Sequence, residues 1–175
     1  MPRAGIALGS NLGDRLSHLR AAVGMLREIA VVGESVRIAP VYQTEPRFCP
    51  PDSPDFYNTV IEIGFNGSAF ELLEKTQQIE LELGRVRVAE RNAPRVIDVD
   101  LLYLGDVVCD NGALILPHPR IGERRFVLQP LTDIRPDLVL PGHTQTIAGM
   151  LAGLKNDESP LILNTAIETT DYTDY

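Results

Sequence analysis

Apolar positions along the chain change their period several times, and each change marks an element. Gly5 to Leu8 is an apolar run of strand length. Leu16, Leu19, Val23, Leu26 and Ile29 then recur at helical spacing, predicting a helix to about Ala30 with Asp14 as its cap. Val31 to Tyr42 reads as a long strand that Gly33 can break, and Phe56 to Phe65 as another, bulked by Tyr57, Val60 and Ile61. Asn66-Gly67-Ser68 is a turn and cap signal, and Ser68 to Leu83 predicts a second helix ended by Gly84. Its core face runs through Leu72, Leu73, Thr76, Ile79 and Leu83, whereas Gln77 and Glu80, three apart, share a different face.

From Val96 the residues are again β-branched and aliphatic. Alternation puts Ile97, Val99, Leu101 and Tyr103 on one strand face and Val96, Asp98, Asp100 and Leu102 on the other. Gly105-Asp106 opens a turn into Val107, Val108 and Cys109. Gly122 to Leu128 predicts a short helix stopped before Pro130, Asp137 to Pro141 a last strand, and Thr146 to Leu154 a weak helix. Between Gln43 and Asp55 stand Pro46, Pro50, Pro51 and Pro54, which exclude a helix or a central strand and leave an ordered or gating loop. The order strand, helix, strand, strand, helix, strand predicts an α+β ferredoxin-like sandwich, a mostly antiparallel sheet with helices packed on it.

Composition narrows the class. A chain of 175 residues suits one domain, here 1–154, burying about 70% of its unfolded surface. The remainder, 155–175, holds five acids against one lysine, so -4 of the net -8 lies in a tail expected to be peripheral or flexible. The low pI, about 4.8, argues against nucleic acid as the main partner. Cys49 and Cys109 stand in no metal or redox spacing, and no apolar run reaches about 18 residues. A cytoplasmic protein without a membrane partner, and a monomer, is expected.

Charge is distributed against that acidic average. Between Arg85 and Arg95 four arginines face one glutamate, a local +3, and this basic loop runs straight into the strand carrying Asp98 and Asp100. Their Cα atoms stand roughly 7 Å apart on one face by strand rise. Paired carboxylates flanked by aliphatics repel unless a cation joins them, and hard oxygen ligands suit Mg²⁺ shared with substrate phosphates. An Asp-x-Asp alone also fits the polar face of an edge strand. Four neighbouring arginines, able to hold phosphates by bidentate hydrogen bonds, turn the balance toward metal and phosphate. His118, Arg120, Arg124 and Arg125 form a second basic island, in which His118 fits either a phosphate contact or a structural role. The turn Gly9 to Asp14 lacks the Gly-x-x-x-x-Gly-Lys phosphate signature and reads as structural.

Gly9-Ser10-Asn11-Leu12-Gly13, Thr44-x-Pro46, Phe56-x-Asn58, Gly84-Arg85-x-Arg87, Arg91-x-x-Pro94-Arg95-x-x-Asp98-x-Asp100 and Pro117-His118-Pro119 to Arg124-x-Phe126 occur in that order. Together they resemble the 6-hydroxymethyl-7,8-dihydropterin pyrophosphokinases of folate biosynthesis, over roughly Ile6 to Leu140. The resemblance implies transfer of pyrophosphate from ATP, the co-substrate, to a pterin alcohol, with AMP released and two Mg²⁺ ions on Asp98 and Asp100. It implies catalytic roles for Arg85, Arg95, Asp98 and Asp100. ATP contacts would come from Gln77, Glu80, Arg85, Arg87, Arg95, Leu101, His118 and Arg124. Thr44, Glu45, Phe56, Asn58 and Phe126 would take the pterin, the two phenylalanines stacking on it.

Three departures bear on lid and pocket: Asn92 where some relatives carry an aromatic, Pro119 where some carry tyrosine, and Glu45 in place of an expected proline. Two other classes stay open on the residues alone. A ferredoxin-like sensor could bind nucleotide without turnover, but has no evident need for Asp98 with Asp100. A different Mg²⁺-nucleotide transferase would not explain the phenylalanine pair with Asn58. The charged Val86–Pro94 segment and the proline-rich loop are both expected to act as lids.

Overall fold

A computed structural model describes residues 1–46, 49, 51–85, 94–155 and 161–167. Arg87, Asn92, Pro50 and most of the Val86–Pro94 segment therefore lie outside the described residues. The central strand is β1 (Arg3–Ser10), paired antiparallel on one side with β4 (Phe56–Gly64) and on the other with β5 (Asp98–Leu104). Strand β3 (Val41–Thr44) continues the sheet beyond β4, and a two-residue β2 (Arg37–Ile38) also pairs with β4. The resulting antiparallel sheet is ferredoxin-like, as predicted. The long strand expected from Val31 is instead these two short pieces. Gly33 turns the chain at φ +82°, and Pro40 between the pieces has no N–H to give to a ladder.

The two faces of the sheet are covered by different helices. Helices α1 (Arg15–Glu28) and α2 (Ala69–Glu82) pack Leu19, Leu26, Leu72 and Ile79 onto Ile6, Leu8, Ile61 and Val99. Asp14 caps α1 by accepting from the Ser17 N–H at 3.1 Å, and Ser68 with Glu71 forms a capping box on α2. The opposite face receives α3 (Arg125–Ile134) and α4 (Ile147–Gly153), with Val60, Leu102, Tyr103, Val127, Leu131 and Met150 in a second cluster. A short 3₁₀ turn, Ile121–Glu123, leads into α3.

Three expectations need correction here. Helix α3 does not stop before Pro130 but contains it. The missing N–H removes one intrahelical bond, and burial of Val127, Leu128 and Leu131 outweighs that loss. The segment Asp137 to Pro141 contributes only an isolated bridge, Val139 to Thr146. The tail is not wholly peripheral. Ile162–Thr165 (β8) extends the sheet beside β3 by backbone pairing, its Ile162 and Leu163 side chains staying exposed, and Ile167 is buried in the first cluster.

Strand β5 also departs from simple alternation. Its register against β1 runs Leu101 to Ile6 and then Tyr103 to Gly5, so Leu102 is an extra residue. Past this bulge Tyr103 turns to the second cluster and Leu104 to the first. The predicted face shared by Val99, Leu101 and Tyr103 is thus interrupted. Tyr103 lies over Gly5, where a Cβ would stand 2.1 Å from its ring, so only glycine fits beneath it.

A hairpin of β6 (Cys109–Asp110) and β7 (Ile115–Leu116) follows β5. It leads to His118, whose N–H donates to the Leu102 carbonyl at 2.8 Å and ties this turn to the outer side of β5.

Candidate active site

Backbone register assembles the site. Tyr42 pairs with Asn58, Asn58 with Gly9, and Gly9 with Asp98, a single row across β3, β4, β1 and β5. Asp100 stands two residues along from Asp98, opposite Ala7. Val99 and Leu101 belong to the first cluster, so both aspartates point the other way, to the face covered by α3. On that face β1 presents Gly5, Ala7 and Gly9, small side chains that leave the sheet surface shallow. Phe56 and Asn58 share this face, and Phe126 packs beside the second cluster from the first turn of α3.

The aspartates are held unequally. Asp98 accepts from Arg85 at 2.7 Å through Oδ1 and from Arg95 at 3.1 Å through Oδ2. Among the described residues the cation nearest Asp100 is Arg124, at 3.8 Å. Burial and the neighbouring Asp98 charge push the Asp100 carboxyl up to about 6, with Arg124 opposing. Two carboxylates on one strand face, Asp100 without a close hydrogen-bonded arginine among the described residues, fit a hard divalent ion. Among the described residues no third metal-ligating side chain joins the pair, so further ligands would be water or phosphate oxygens.

Glu80 does not share an exposed face with Gln77. Its carboxylate is buried, accepts the Val99 N–H at 2.8 Å and pairs with Arg85, while Gln77 one turn earlier is exposed. Burial raises the Glu80 pKa against the pull of the Val99 N–H and Arg85. Burial also weighs against the Arg85 charge, but Asp98 and Glu80 outweigh it and raise Arg85 above its ordinary value. Glu80 thus braces Arg85 from behind.

The second basic island reaches the same place. His118 Nδ1 accepts from the Arg120 N–H at 3.1 Å, so the ring's proton sits on Nε2. Burial lowers the His118 pKa, and Arg124 and Arg120 lower it further, which keeps the imidazole neutral at pH 7. Arg124 extends from Asp100 to a position 5.6 Å from the Phe126 ring centroid, joining the aspartates to the aromatic part of the site.

Around Asn58 the geometry is tight. Its Nδ2 donates to Thr44 Oγ1 at 2.8 Å, which fixes the amide and leaves Oδ1 beside Gly9. Glu45, next in the chain, is exposed. The Leu101 side chain is buried in the first cluster, so only its backbone borders the aspartate face.

Asn11 was hidden in a turn that reads as structural. Its side chain accepts the Arg95 N–H at 2.9 Å and donates to the Pro54 carbonyl at 3.3 Å, linking the base of the arginine loop to the proline-rich loop. The clue was a buried asparagine directly after a strand, a residue whose amide can bridge two backbones.

Three comparisons bear on this arrangement. The 7,8-dihydro-6-hydroxymethylpterin-pyrophosphokinase (HPPK) family model matches residues 5–136. A 2-amino-4-hydroxy-6-hydroxymethyldihydropteridine pyrophosphokinase from Bacillus subtilis is 46% identical over 129 residues, 74% of this chain and 75% of that protein. Its counterpart from Pseudomonas aeruginosa is 39% identical over 139 residues, 79% and 84% of the two chains. The folic acid synthesis protein fol1 of Pneumocystis carinii is 40% identical over 144 residues, 82% of this chain but only 19% of that protein. A solved triple mutant of Plasmodium falciparum HPPK-DHPS with pteroate superposes with a TM-score of 0.67 at 14% identity, over 86% of this chain and 43% of that one, a likeness of fold.

Proposed function

The chain belongs to the HPPK family and is a pyrophosphokinase of that family, and from this premise we propose that it carries pyrophosphate from ATP to the hydroxymethyl group of 6-hydroxymethyl-7,8-dihydropterin. AMP is the second product, and the reaction serves folate biosynthesis. The observation that carries this reading is the row joining Asn58, Gly9 and Asp98. It sets Asn58 on the same sheet face as a carboxylate pair flanked by Arg85, Arg95 and Arg124.

Asn58, oriented by Thr44, offers a donor and an acceptor to the pterin edge, and Phe56 and Phe126 flank the ring. Asp98 and Asp100 would hold two Mg²⁺ ions, which when bound neutralise and orient the ATP phosphates. Arg85 and Arg95, poised on Asp98, and Arg124, poised on Asp100, supply donors to the same phosphates. Neutral His118 donates from Nε2, a contact suited to a nucleotide oxygen. The pterin hydroxymethyl oxygen attacks the β-phosphorus and loses its proton. The bond from that phosphorus to the α,β-bridging oxygen breaks, and AMP leaves with the oxygen. The residues bind, align and exclude water, with no covalent intermediate on the protein.

ATP as co-substrate supports a cytoplasmic setting, and a site drawn from one chain suits a monomer. Incubation with Mg-ATP and the pterin alcohol should yield AMP and pterin diphosphate in equal amounts. ADP as the nucleotide product, or no pterin-dependent AMP, would overturn the assignment.

A further inference from the structure

The strand that presents Phe56 and Asn58 is gripped from its other side by the start of α1. Arg15 Nη1 donates to the Asp55 carbonyl at 2.8 Å, and the guanidinium carbon lies 4.0 Å from the Tyr57 ring centroid. Asp55 and Tyr57 are the residues immediately before and after Phe56. Tyr57 packs against the first cluster, so alternation sends Phe56 and Asn58 to the opposite face. Arg15 therefore holds the Asp55 carbonyl before Phe56 and the Tyr57 ring after it without sharing the Phe56 face. Two further bonds tighten the same point: Asn11 Nδ2 to the Pro54 carbonyl at 3.3 Å, and Gln43 Nε2 to Asp55 Oδ2 at 2.6 Å.

Helix stability does not account for Arg15. It occupies the first turn of α1, where no acidic residue stands and where a cation opposes the helix dipole. Its contacts lie instead on the strand. Pro54, just before β4, gives no N–H, and the exit of the loop is fixed by side chains from elsewhere, Asn11, Arg15 and Gln43. A charged donor to a carbonyl, with a ring stacked on the guanidinium, is the strongest such fastening at this point.

We propose that Arg15 is a positioning residue for the pterin half of the site, setting the direction of Phe56 and Asn58 through Asp55 and Tyr57. This rests on the pyrophosphokinase reading above.

The test is a steady-state series of wild type, Arg15→Ala, Arg15→Lys, Gln43→Ala and Arg20→Ala, following AMP release from Mg-ATP and the pterin alcohol. Arg15→Ala should raise the pterin KM about tenfold while the ATP KM stays within about twofold, as loss of one charge-assisted bond and one stacked cation implies. Arg15→Lys, which keeps a cationic donor, should recover part of that loss. Gln43→Ala should show the same pterin-selective rise in smaller measure. Arg20, exposed on the same helix, should behave as wild type when replaced, which separates position from mere loss of charge. An unchanged pterin KM in Arg15→Ala, or an equal rise for both substrates, would overturn the proposal. Should Arg15→Ala fail to fold, Gln43→Ala decides, and absence of a pterin-selective rise there overturns it. A wild type that releases no pterin-dependent AMP removes the activity reading and this inference together, whereas normal wild-type turnover with a silent Arg15→Ala removes the inference alone.

Discussion

Asn58 and Gly9 meet across the β1–β4 ladder so closely that a methyl group on Gly9 would stand 2.9 Å from Asn58 Oδ1. Asn58 cannot simply swing away, because its Nδ2 is held by Thr44. Gly9→Ala should therefore shift the amide proposed to face the pterin and spare Asp98, the other cross-strand neighbour of Gly9, which has no atom within 4 Å of that methyl. The expected loss is about 1 kcal/mol in pterin affinity, the worth of one misplaced hydrogen bond. Calorimetry with the pterin and a non-hydrolysable ATP analogue would read it. Equal weakening of both ligands would show that the glycine serves β1 as a whole.

The carboxylate pair makes a different prediction. Asp98 is compensated by two arginines, whereas among the described residues the cation nearest Asp100 stands at 3.8 Å. Asp100→Asn should abolish most turnover and yet raise the melting temperature of the metal-free protein, because it removes the less compensated of two like charges. Asp98→Ala should abolish turnover without that gain, since it strips Arg85 and Arg95 of a shared partner. Thermal melts in chelator, beside AMP release in Mg²⁺, separate the two. A metal-free Asp100→Asn that melts well below wild type would count against the pair as a site built for a cation.

Much of this site could be read before any fold was known, and the remainder was hidden for definable reasons. Local signals carried far: the capping box at Ser68 and Glu71, the helical spacing of α1, and the same-face pair of aspartates are all properties of neighbours in sequence. What escaped depends on register or on a second layer. The extra residue Leu102 turns Tyr103 to the other face, and nothing local announces a bulge opposite Gly5. Glu62 reads as an outward polar residue between Ile61 and Ile63. Because the fold covers that face too, it is fully buried, bonded to Arg3, Arg135 and the Tyr103 hydroxyl. Leu101, a nucleotide contact only by resemblance, has its side chain in the first cluster, as alternation along β5 already implied. Arg15 gave no signal because its partners, Asp55 and Tyr57, lie about forty residues away.

A pH dependence follows from the strut between β3 and α3. The Tyr42 hydroxyl donates to Asp133 Oδ2 at 2.7 Å. Burial and that carboxylate push the phenol up to about 12, above its ordinary 10. A raised acid pKa favours the protonated native form, so this contribution to stability is complete below pH 10 and is lost as pH climbs from 10 toward 12. Tyr42→Phe should be less stable than wild type at pH 8, and the gap should narrow by pH 11. Urea midpoints at the two values would measure it, and a gap that widens with pH would refute the assignment.

Arg95 offers the sharpest separation of binding from chemistry. Its backbone is clamped by Asn11 on both sides, the Arg95 N–H donating to Oδ1 at 2.9 Å and its carbonyl accepting the Asn11 N–H at 3.2 Å. Truncating the side chain therefore leaves the base of the arginine loop in place. What disappears is one guanidinium, held by Asp98 at 3.1 Å beside the carboxylate pair over which the phosphates are proposed to lie. A donor aimed at charge that develops during transfer acts mainly on the transition state. Arg95→Ala should lower kcat roughly a hundredfold, by analogy with removal of one preorganised donor, while the pterin dissociation constant changes far less. The melting temperature should move little, because the Asn11 bonds survive. Single-turnover kinetics beside pterin titration in the presence of a non-hydrolysable ATP analogue would distinguish the outcomes. Parallel losses in rate and pterin affinity would make Arg95 a scaffold for the pocket, and an unchanged kcat would remove it from the phosphate clamp altogether.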